Sequence, residues 1–430
     1  MVFFGRKLSM ATNQVLLCVL LCLMSSTNLA GAAITPSPSP KEDVWQGFRG
    51  DGSSHSRATE LPLVWSASKN LLWQTKLEGF GQSSPVVWDG KVYLTAIDEK
   101  SRTPLSVLCM DLDSGKLLWK KGFEASQDLP WGKTFARAAP TPLVDGTGVV
   151  AFFGSGDLVK LNHEGDLSWK RSLMKEFGAF KGNHGVGSSP IGYDGKVTLL
   201  IAHEGPSYVI TLDGGTGATI WKKDRPEAVS WSSPLVTRFH DLDQLIISSN
   251  GTIEAMDYRT GAPLWFTNDI EKNTVASPTR YGDMIIAGSS AAKSCTAIKL
   301  GGRGDITGSH IAWRAASSSF GSPLVDGDRV YIVNRGGVLT ALEAETGAEV
   351  WKYRLGDSCW ASPVAAGNRL YFFGKSGKTA VLASGGQEPK VLAENELPVG
   401  EEDAVYGVAF VDGKILVRTG SLLTCISPQD

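Results

Sequence analysis

The sequence has little of what marks nucleic-acid-binding, zinc-binding and disulfide-stabilised proteins. Its formal net charge is only −2, which argues against a basic nucleic-acid-binding stripe or a polybasic membrane surface. Two of its six cysteines lie in the N-terminal leader, and the other four are far apart without C-x-x-C spacing. Neither a zinc site nor a disulfide framework is therefore indicated. The sequence alone leaves open the redox state of these four thiols, Cys109, Cys295, Cys359 and Cys425.

Signatures of catalysis are missing as well. No serine elbow, phosphate-binding glycine loop or dinucleotide fingerprint occurs between a strand and a helix, because no stretch of the chain reads as a convincing helix. The paired acids, such as Asp111 and Asp113, suit turn geometry better than acid–base chemistry. The sequence therefore favours an all-β protein without an assignable catalytic set.

The N-terminus predicts export. Two basic residues precede an apolar run over 15–24 and a small-residue stretch that ends at Ala32, which is typical of a cleaved signal peptide. A membrane anchor is the weaker interpretation because the run is too short to span a bilayer. A lipoprotein is also weaker, since Leu21 is bulkier than the residue preferred before a lipid-modified cysteine at Cys22. We predict a periplasmic or secreted mature chain without a transmembrane helix, divided into a signal peptide (1–32), a Pro/Ser linker (33–43) and one domain (44–428).

Glycine and tryptophan are abundant, with 49 and 13 residues, and a repeated frame accounts for both. The stretch Ala255–Trp265, AMDYRTGAPLW, has counterparts at Cys109–Trp119, Thr211–Trp221 and Ala341–Trp351. In each copy an acid follows two residues after a small residue, and glycine stands four residues before tryptophan. The acid can accept backbone N–H groups of a tight turn, and glycine permits positive φ there. The tryptophan then anchors the following strand.

A second landmark is a Ser/Thr-Pro pair that opens an apolar strand. The pairs and one degenerate opening fall at Pro85, Pro142, Pro190, Pro234, Pro278, Pro323, Pro363 and Tyr406. The spacing between successive prolines runs from 40 to 57 residues, the length of a four-stranded propeller blade. Asp-Gly turns follow several of the opening strands, as expected for tight hairpins.

The units are incomplete in a complementary way. The eighth unit ends near Cys425 without a fourth strand, whereas the strand 71–73, which ends in a tryptophan, stands alone near the N-terminus. Joining the two would remove exposed edges. We predict an all-β fold, a single eight-bladed β-propeller whose ring is closed by an N-terminal strand. Cys109 and Cys425 occupy the small-residue position of the frame and are predicted to be buried packing thiols, and the segment 44–65 is predicted to be irregular chain pinned by aromatics.

The frame resembles the tryptophan-docking motif of quinoprotein-like β-propellers, A-x-D-x-x-T-G-x-x-x-W, which Ala255–Trp265 matches throughout. The opening W-x-x-F-R-G at Trp45–Gly50 is similar to that of secreted PQQ-like repeat propellers of planctomycetes. The architecture is similar to that of the outer-membrane assembly scaffold lipoprotein family and of quinone-dependent alcohol dehydrogenases. Those enzymes carry a vicinal cysteine pair, calcium ligands and a catalytic Asp, and this chain has no adjacent cysteines and no assignable counterpart of the other two. The resemblance therefore implies the fold, and we predict no cofactor; pyrroloquinoline quinone or calcium has no support from motifs.

Successive strands of a blade run in opposite directions, so their connections alternate between the two faces of the propeller, and one face can be chosen as the candidate binding surface. Both hairpin turns of a blade fall on one face, which we call the turn face. The loops between blades and between second and third strands vary in length and fall on the other, the loop-rich face. Variable loops on a rigid frame commonly carry binding. The candidate residues on the loop-rich face are Trp131, Arg137, His184, His203, Glu204, Trp231, Asn334, Arg335 and Trp360, accompanied by Lys133, Asn183, Phe320 and Lys375.

The two aromatic candidates, Trp231 and Trp360, stand at the same position of their blades beside the central channel. They predict either a pair of stacking residues at a binding mouth or a channel plug in which the two rings pack on each other. Both alternatives stay open from sequence. Arg335 and Lys375 are interpreted as solvated rim charges rather than anion clamps.

His184, His203 and Glu204 flank one blade and would suit a two-His-one-carboxylate metal site if they converged. Hydrogen-bonded loop residues are the favoured alternative, so we predict no metal site. The leading functional hypothesis is a secreted, non-catalytic propeller that binds an envelope or extracellular protein or polymer, and not nucleic acid. The alternatives are a quinone- or metal-dependent oxidoreductase on a reduced scaffold and a lipid-anchored assembly scaffold modified at Cys22.

Overall fold

The computed structural model describes residues 44–98, 104–128, 138–182, 184–271, 275–289, 294–316, 321–400 and 403–429. The predicted signal peptide (1–32) and linker (33–43) lie outside these residues. The described chain forms 34 strands and one helix of five residues. In this part of the chain no helix has the length and hydrophobicity to cross a membrane.

The strands group into eight blades, and each blade runs from an inner strand at the central channel to an outer strand. Two strands precede the first complete blade, β1 (His55–Ser56) and β2 (Leu71–Lys76). Blades 1 and 2 contain β3 (Val86–Trp88), β4 (Lys91–Ile97), β5 (Leu105–Asp111) and β6 (Leu117–Phe123), then β7 (Leu143–Asp145), β8 (Gly148–Phe152), β9 (Asp157–Leu161) and β10 (Leu167–Ser172), followed by α1 (Leu173–Phe177). Blades 3 and 4 contain β11 (Ile191–Tyr193), β12 (Lys196–Ile201), β13 (Ser207–Asp213) and β14 (Thr219–Arg225), then β15 (Leu235–Phe239), β16 (Leu242–Ser249), β17 (Thr252–Asp257) and β18 (Pro263–Thr267).

Blade 5 contains β19 (Thr279–Tyr281), β20 (Met284–Gly288), β21 (Cys295–Lys299) and β23 (Ile311–Ala315), with β22 (Gly304–Asp305) in the connection before β23. Blades 6 and 7 contain β24 (Leu324–Asp326), β25 (Arg329–Val333), β26 (Val338–Glu343) and β27 (Glu349–Arg354), then β28 (Val364–Ala366), β29 (Arg369–Phe373), β30 (Lys378–Ala383) and β31 (Val391–Glu396). Blade 8 contains β32 (Val405–Val411), β33 (Lys414–Thr419), β34 (Leu422–Ile426) and β2.

The predicted ring closure is confirmed. Strand β2 is the outer strand of blade 8 and pairs antiparallel with β34, with Trp73 opposite Cys425. The described residues form eight sheets, and two of them gain a fifth strand. Strand β1 adds to β28 in parallel at the channel, and β22 adds to β18 in parallel at the rim.

The turns adopt the conformations that their residues favour. Asp89 and Gly90 both have positive φ, at 48° and 72°, as a type I′ hairpin requires. In the docking frame, Asp257 Oδ1 accepts hydrogen bonds from Thr260 N and Thr260 Oγ1, both at 2.8 Å. Gly261 has a φ of 70° in the same turn. The acid and the glycine of the frame therefore do what the sequence predicted.

The tryptophan of each docked blade is held by the next blade. Trp73 donates its Nε1–H to the carbonyl of Leu112 at 3.0 Å, and a Cβ on Gly115 would lie only 2.5 Å from the indole. Only glycine lets the turn lie flat on the ring. The same close contact recurs at four further seams, in the pairs Trp119 with Gly165, Trp169 with Gly217, Trp221 with Gly261 and Trp313 with Gly347.

The docking is not uniform around the ring. Trp265 donates to Gln244 Oε1 of its own blade at 3.1 Å rather than to blade 5. The Nε1 of Trp351 is buried without a partner. In the equivalent turn of blade 7, a Cβ added to Gly385 would meet nothing within 4 Å. Blade 7 has Ala393 where the others have tryptophan. The seams between blades 4 and 5, 6 and 7, and 7 and 8 therefore lack a docked indole.

The Ser/Thr-Pro landmark has a structural role at the channel. The N–H of Ser84 donates to Thr141 Oγ1 of the next blade at 3.0 Å, and the N–H of Thr141 donates to Ser189 Oγ at 3.0 Å. The series continues through Ser233, Ser277 and Ser322. A residue before proline is held in extended conformation, and from blade 2 to blade 6 its hydroxyl accepts an N–H of the preceding blade. The repeated pair thus forms a hydrogen-bonded belt between blades.

The segment before β2 is not merely pinned by aromatics, because its first part occupies the central channel. We call residues 45–56 the N-terminal plug. Trp45 and Val87 of blade 1 exchange backbone hydrogen bonds of 3.0 and 2.8 Å. The N–H of Val144 in blade 2 donates to the carbonyl of Gln46 at 2.8 Å. The plug thereby extends the inner edges of the first two blades.

The plug also reaches the opposite side of the ring. The Nη2 of Arg49 donates to Thr279 Oγ1 at 2.7 Å and to the carbonyl of Pro323 at 3.2 Å, which links blades 5 and 6. Burial lowers the pKa of Arg49 to about 10, but it stays charged at neutral pH. In blade 7 the N–H of Ala365 donates to the carbonyl of Ser54 at 2.9 Å. The sequence had not predicted that the channel is filled by its own chain.

The cysteines of the described residues are free and buried. Cys109 and Cys425 pack in the blade interiors, as predicted from the small-residue position. Burial raises the pKa of each of the four thiols to about 12. None of them therefore forms a disulfide or carries a reactive thiolate in this state.

Candidate functional site

The strand order fixes which segments share the loop-rich face. The connections between blades and those between the second and third strands of each blade meet there, while the Asp-Gly and docking turns lie on the turn face. Trp131 and Arg137 of the predicted surface lie outside the described residues, as do Lys133, Asn183 and Phe320. The site can therefore be built from the remaining candidates.

Trp360 belongs to a cluster that we call the aromatic patch, comprising Phe80, Trp360, Lys375 and Tyr406. Trp360 is 44% exposed, and its indole lies 5.6 Å from the ring of Tyr406. Tyr406 meets the buried Phe80 edge-on at 6.1 Å. The Nζ of Lys375 stands 5.8 Å from the centre of the Trp360 ring, within the range of a cation–π contact.

The patch joins three blades and is held by the backbone beneath it. The N–H of Lys375 donates to the carbonyl of Ser358 at 2.9 Å, and the N–H of Val405 donates to the carbonyl of Lys375 at 3.0 Å. These bonds tie the loop of blade 7 to the start of blade 8. An exposed indole on a fixed support is the arrangement typical of an interface hot spot. Phe80 and Tyr406 were missed from sequence, where Tyr406 had been recognised only as a blade opening.

Trp231 occupies the equivalent position in blade 4 but has different surroundings. Its Nε1–H donates to the carbonyl of Gly185 at 2.8 Å, and its ring lies 5.7 Å from that of His184. A Cβ on Gly187 would come within 2.7 Å of the indole, so Trp231 lies against the preceding loop and is half-buried. The two tryptophans thus each pack on a different partner, and the alternative in which they pack on each other is wrong.

The three residues considered for a metal site are not arranged as a group that could hold a metal ion. His203 is 1% exposed, packs 4.5 Å from the ring of Phe180 and accepts a hydrogen bond at Nδ1 from Lys181 N at 3.3 Å. Burial, aided by the charge of Lys181, lowers the pKa of His203 to about 4, so the ring is neutral at neutral pH. Glu204 is exposed beside Gly182, and His184 lies under Trp231.

The remaining candidates form one turn of blade 6. Asn334 Oδ1 accepts hydrogen bonds from Gly336 N at 2.9 Å and Val338 N at 3.0 Å, so the amide shapes the turn. Arg335 is exposed beside it. Both lie on the loop-rich face where the sequence placed them, but nothing in their geometry distinguishes them from ordinary turn residues.

A calcium-bound quinone would require a cluster of oxygen ligands. Within the described ranges, no group of three or more His, Cys, Asp or Glu side chains is arranged to hold a metal. The four cysteines lie separately in blade interiors, and the N-terminal plug extends into the channel. These residues do not fit a site of that kind as they are placed.

Comparison with known proteins agrees with the geometry of the ring. The family model described as outer membrane protein assembly factor BamB matches residues 54–185 and 304–388. The protein of that name from Shewanella oneidensis is 22% identical over 285 residues, which span 63% of this chain and only 63% of that relative.

Solved structures show the same fold at low identity. The BamB structure from Moraxella catarrhalis has a TM-score of 0.61 at 16% identity and covers 83% of this chain and 97% of its own. A europium-containing methanol dehydrogenase has a TM-score of 0.64 at 10% identity, and the match covers 88% of this chain and 89% of the dehydrogenase. A quinohemoprotein alcohol dehydrogenase from Comamonas testosteroni has a TM-score of 0.62 at 13% identity, and the match covers 90% of this chain and 81% of that enzyme. An assembly factor and two dehydrogenases thus share one architecture, so the fold does not decide the function.

Proposed function

The chain belongs to the outer membrane protein assembly factor BamB family, and from this premise we propose that it is an exported, non-catalytic scaffold that binds a protein partner through its loop-rich face. The relative from Shewanella oneidensis is described as an assembly factor, and assembly requires surfaces that hold other proteins. The length and variety of the loops on that face support the same proposal.

The single observation that carries the proposal is the aromatic patch. A tryptophan that is 44% exposed leaves a large apolar area in water, and burying it against a partner would stabilise a complex. Tyr406 and the loop of blade 7 hold the indole in place, so little conformational entropy is lost on binding. Lys375 adds a positive charge at the edge of the aromatic patch, which favours a partner that presents a protruding apolar side chain beside an acidic residue.

The experiment is capture of a partner from envelope extract by the purified chain and by two variants. Trp360→Ala removes the exposed indole, and Leu118→Ala removes a side chain of similar exposure on the outer strand β6. We expect Trp360→Ala to weaken the complex by about 2 kcal/mol or more, roughly 30-fold, and Leu118→Ala to leave it unchanged. Equal recovery by the two variants would contradict the proposal.

Quinone-dependent oxidation is the alternative function, and it has its own measurement. Titration with pyrroloquinoline quinone and calcium should leave the tryptophan fluorescence unchanged if the protein is a scaffold. Saturable quenching would support the enzyme instead. The intact mass of the exported chain tests the proposed export route, with cleavage after Ala32 expected and a lipid-modified Cys22 as the contrary result.

A further inference from the structure

The inner strand of each blade turns the backbone N–H and C=O of one residue towards the central channel. In β3, Trp88 pairs with Lys91 across a two-residue turn, and hydrogen-bonded pairs alternate with unbonded pairs along an antiparallel ladder. The preceding residue, Val87, therefore turns both groups away from the hairpin, and Trp45 bonds them in the channel. The same register gives a channel-facing residue in the other blades: Val144, Gly192, Arg238, Arg280, Val325, Ala365 and Phe410.

The N-terminal plug bonds these channel-facing groups on one side of the ring only. The residues that it bonds are Val87, Val144, Ala365 and Phe410, in blades 1, 2, 7 and 8. On the other side, the equivalent groups have no backbone partner within the described part of the chain. They belong to Gly192, Arg238, Arg280 and Val325, in blades 3 to 6. An open strand edge of this kind is a template for a further strand.

A cavity of about 370 Å³ lies against these open edges at the turn-face mouth of the channel. Arg238, Arg280 and Val325 line its ring side, and residues 51–53 of the plug line the other side. Strand β15 has five residues, whereas β11, β19 and β24 have three each. It therefore turns two residues towards the cavity, Val236 and Arg238, at the spacing that pairing with another strand requires.

The chain that precedes the plug leaves the channel at the same mouth. Trp45 pairs antiparallel with Val87, and β3 runs towards its turn on the turn face, so the residues before Trp45 extend towards that face. The plug crosses from Trp45 at blade 1 to Gly52 at blade 4, where a Cβ on Gly52 would lie 3.5 Å from Leu235 Cδ1. Ser37 stands at a similar distance along the chain on the other side of Trp45. The stretch around Ser37 can therefore also reach blade 4.

The stretch 35–40, TPSPSP, has the pattern that a strand edge accepts. Proline has no N–H, so it is tolerated in a strand where that position faces away from the ladder. Since successive residues of a strand face opposite sides, the N–H groups of Ser37 and Ser39 share the side opposite to the prolines. Both serines also precede a proline, which holds them in extended conformation.

We propose that the stretch 35–40 of this chain lies in the cavity as an added strand on the inner edge of β15. Ser37 and Ser39 form backbone hydrogen bonds with Val236 and Arg238, and the prolines take the positions that face away from β15. The chain thereby supplies the open edge opposite the plug with a strand of its own. This contact lies on the turn face and does not involve the aromatic patch, so it is independent of the proposed scaffold function.

The first test compares a chain of residues 33–430 with a chain of residues 42–430 by calorimetric titration with the peptide ITPSPSPK. We expect saturable binding to the shorter chain. Binding to the longer chain should be about tenfold weaker or more, because the tethered stretch competes at a high effective concentration. The peptide ITPPPSSK has the same composition without the alternation and should bind neither chain.

Three results of this titration would overturn the proposal. The first is no binding of ITPSPSPK to the shorter chain, and the second is equal binding to both chains. The third is a dimer of the longer chain that dissociates when residues 33–41 are removed, which would place the stretch in a second copy.

Hydrogen exchange measured by mass spectrometry tests where the stretch lies. The amides of Val236 and Arg238 should be protected in the longer chain and exposed in the shorter one. The amide of Ala365 is already bonded to the plug and should stay protected in both. The double variant Ser37→Pro and Ser39→Pro should expose the two β15 amides, whereas Pro38→Ala, which keeps both serine N–H groups, should not. Equal exchange of β15 in the two chains would contradict the proposal.

Discussion

The docked glycine at the closing seam gives the sharpest prediction. In Gly115→Ala the new Cβ would lie 2.5 Å from the Trp73 indole, so the ring must move. Overpacking of this kind costs about 1–3 kcal/mol. Loss of the indole hydrogen bond to Leu112 adds about 1 kcal/mol. The positive φ of 66° at this position adds about 1–2 kcal/mol for a residue with a side chain. We expect a total destabilisation of about 3–6 kcal/mol.

The matched control is Gly385→Ala in the equivalent turn of blade 7. Its φ is 73°, but a Cβ there would meet nothing within 4 Å. This variant therefore carries only the backbone term, about 1–2 kcal/mol. Urea unfolding followed by tryptophan fluorescence measures both. A difference between the two variants below about 0.5 kcal/mol would refute the view that the indole is clamped by glycine at the seam.

Three further predictions concern the interior. Arg49→Met should lower the free energy of unfolding by about 3 kcal/mol, since it removes the buried hydrogen bonds to the carbonyls of Pro278 and Pro323 and to Thr279 Oγ1. Thermal unfolding beside the exposed control Arg303→Met checks this prediction, and equal unfolding midpoints would contradict it. The pKa of His203 is lowered to about 4, so the unfolded chain takes up its proton first as pH falls. The free energy of unfolding should therefore fall as the pH is lowered from about 6.5 to 4. The His203→Asn variant should lose less of its free energy of unfolding over the same pH range. Identical pH dependence of unfolding in the two proteins would contradict this prediction. The four buried thiols are those of Cys109, Cys295, Cys359 and Cys425. In a chain that carries Cys18→Ser and Cys22→Ser, they should react with a disulfide reagent only when the protein unfolds. Fast labelling of the native protein would disprove their burial.

The fold could be predicted because each part of the docking frame has one local physical role. An acid that accepts turn N–H groups, a glycine with positive φ and a tryptophan at fixed spacing define a hairpin wherever they occur. The unpaired strand at Trp73 could then be predicted to pair with the incomplete sheet that ends at Cys425, because this pairing removes the exposed edges of both. The count of eight blades followed from the Ser/Thr-Pro pairs, although the reason for those pairs, the belt of hydroxyls, appeared only in three dimensions.

The plug could not be predicted because its contacts are local in space and remote in sequence. Arg49 bonds residues 229 and 274 positions away, and a segment without periodicity gives no sign of where it will pair. The available signal was an arginine set beside aromatics in W-x-x-F-R-G, a composition that suits burial better than an exposed linker. That signal identifies a buried segment but not the strands that it contacts.

The candidate site was predicted in part for the same reason. Trp231 and Trp360 share a position in their blades, yet one is half-buried and the other exposed. Gly187 leaves room beside Trp231, which packs against it, whereas Trp360 is supported by Tyr406 of the following blade. Neighbouring blades decide the exposure of each ring, and the frame of a single blade does not contain that information.

Added contacts stand in for the docked tryptophan at the three seams that lack one, and the N-terminal plug supplies them at two of the three. Between blades 4 and 5, β22 pairs with β18 instead. Between blades 6 and 7, Asp326 accepts from Ser384 and bonds His55 at 3.1 Å, while the plug backbone pairs with β28. Its two hydrogen bonds keep the pKa of Asp326 low despite burial, which alone would raise it. At the third seam, Ser56 of the plug donates to the carbonyl of Phe410 in blade 8 at 3.1 Å. Each missing indole is matched by an added strand or by a contact of the plug. The plug therefore helps to hold neighbouring blades together and does not merely fill the channel.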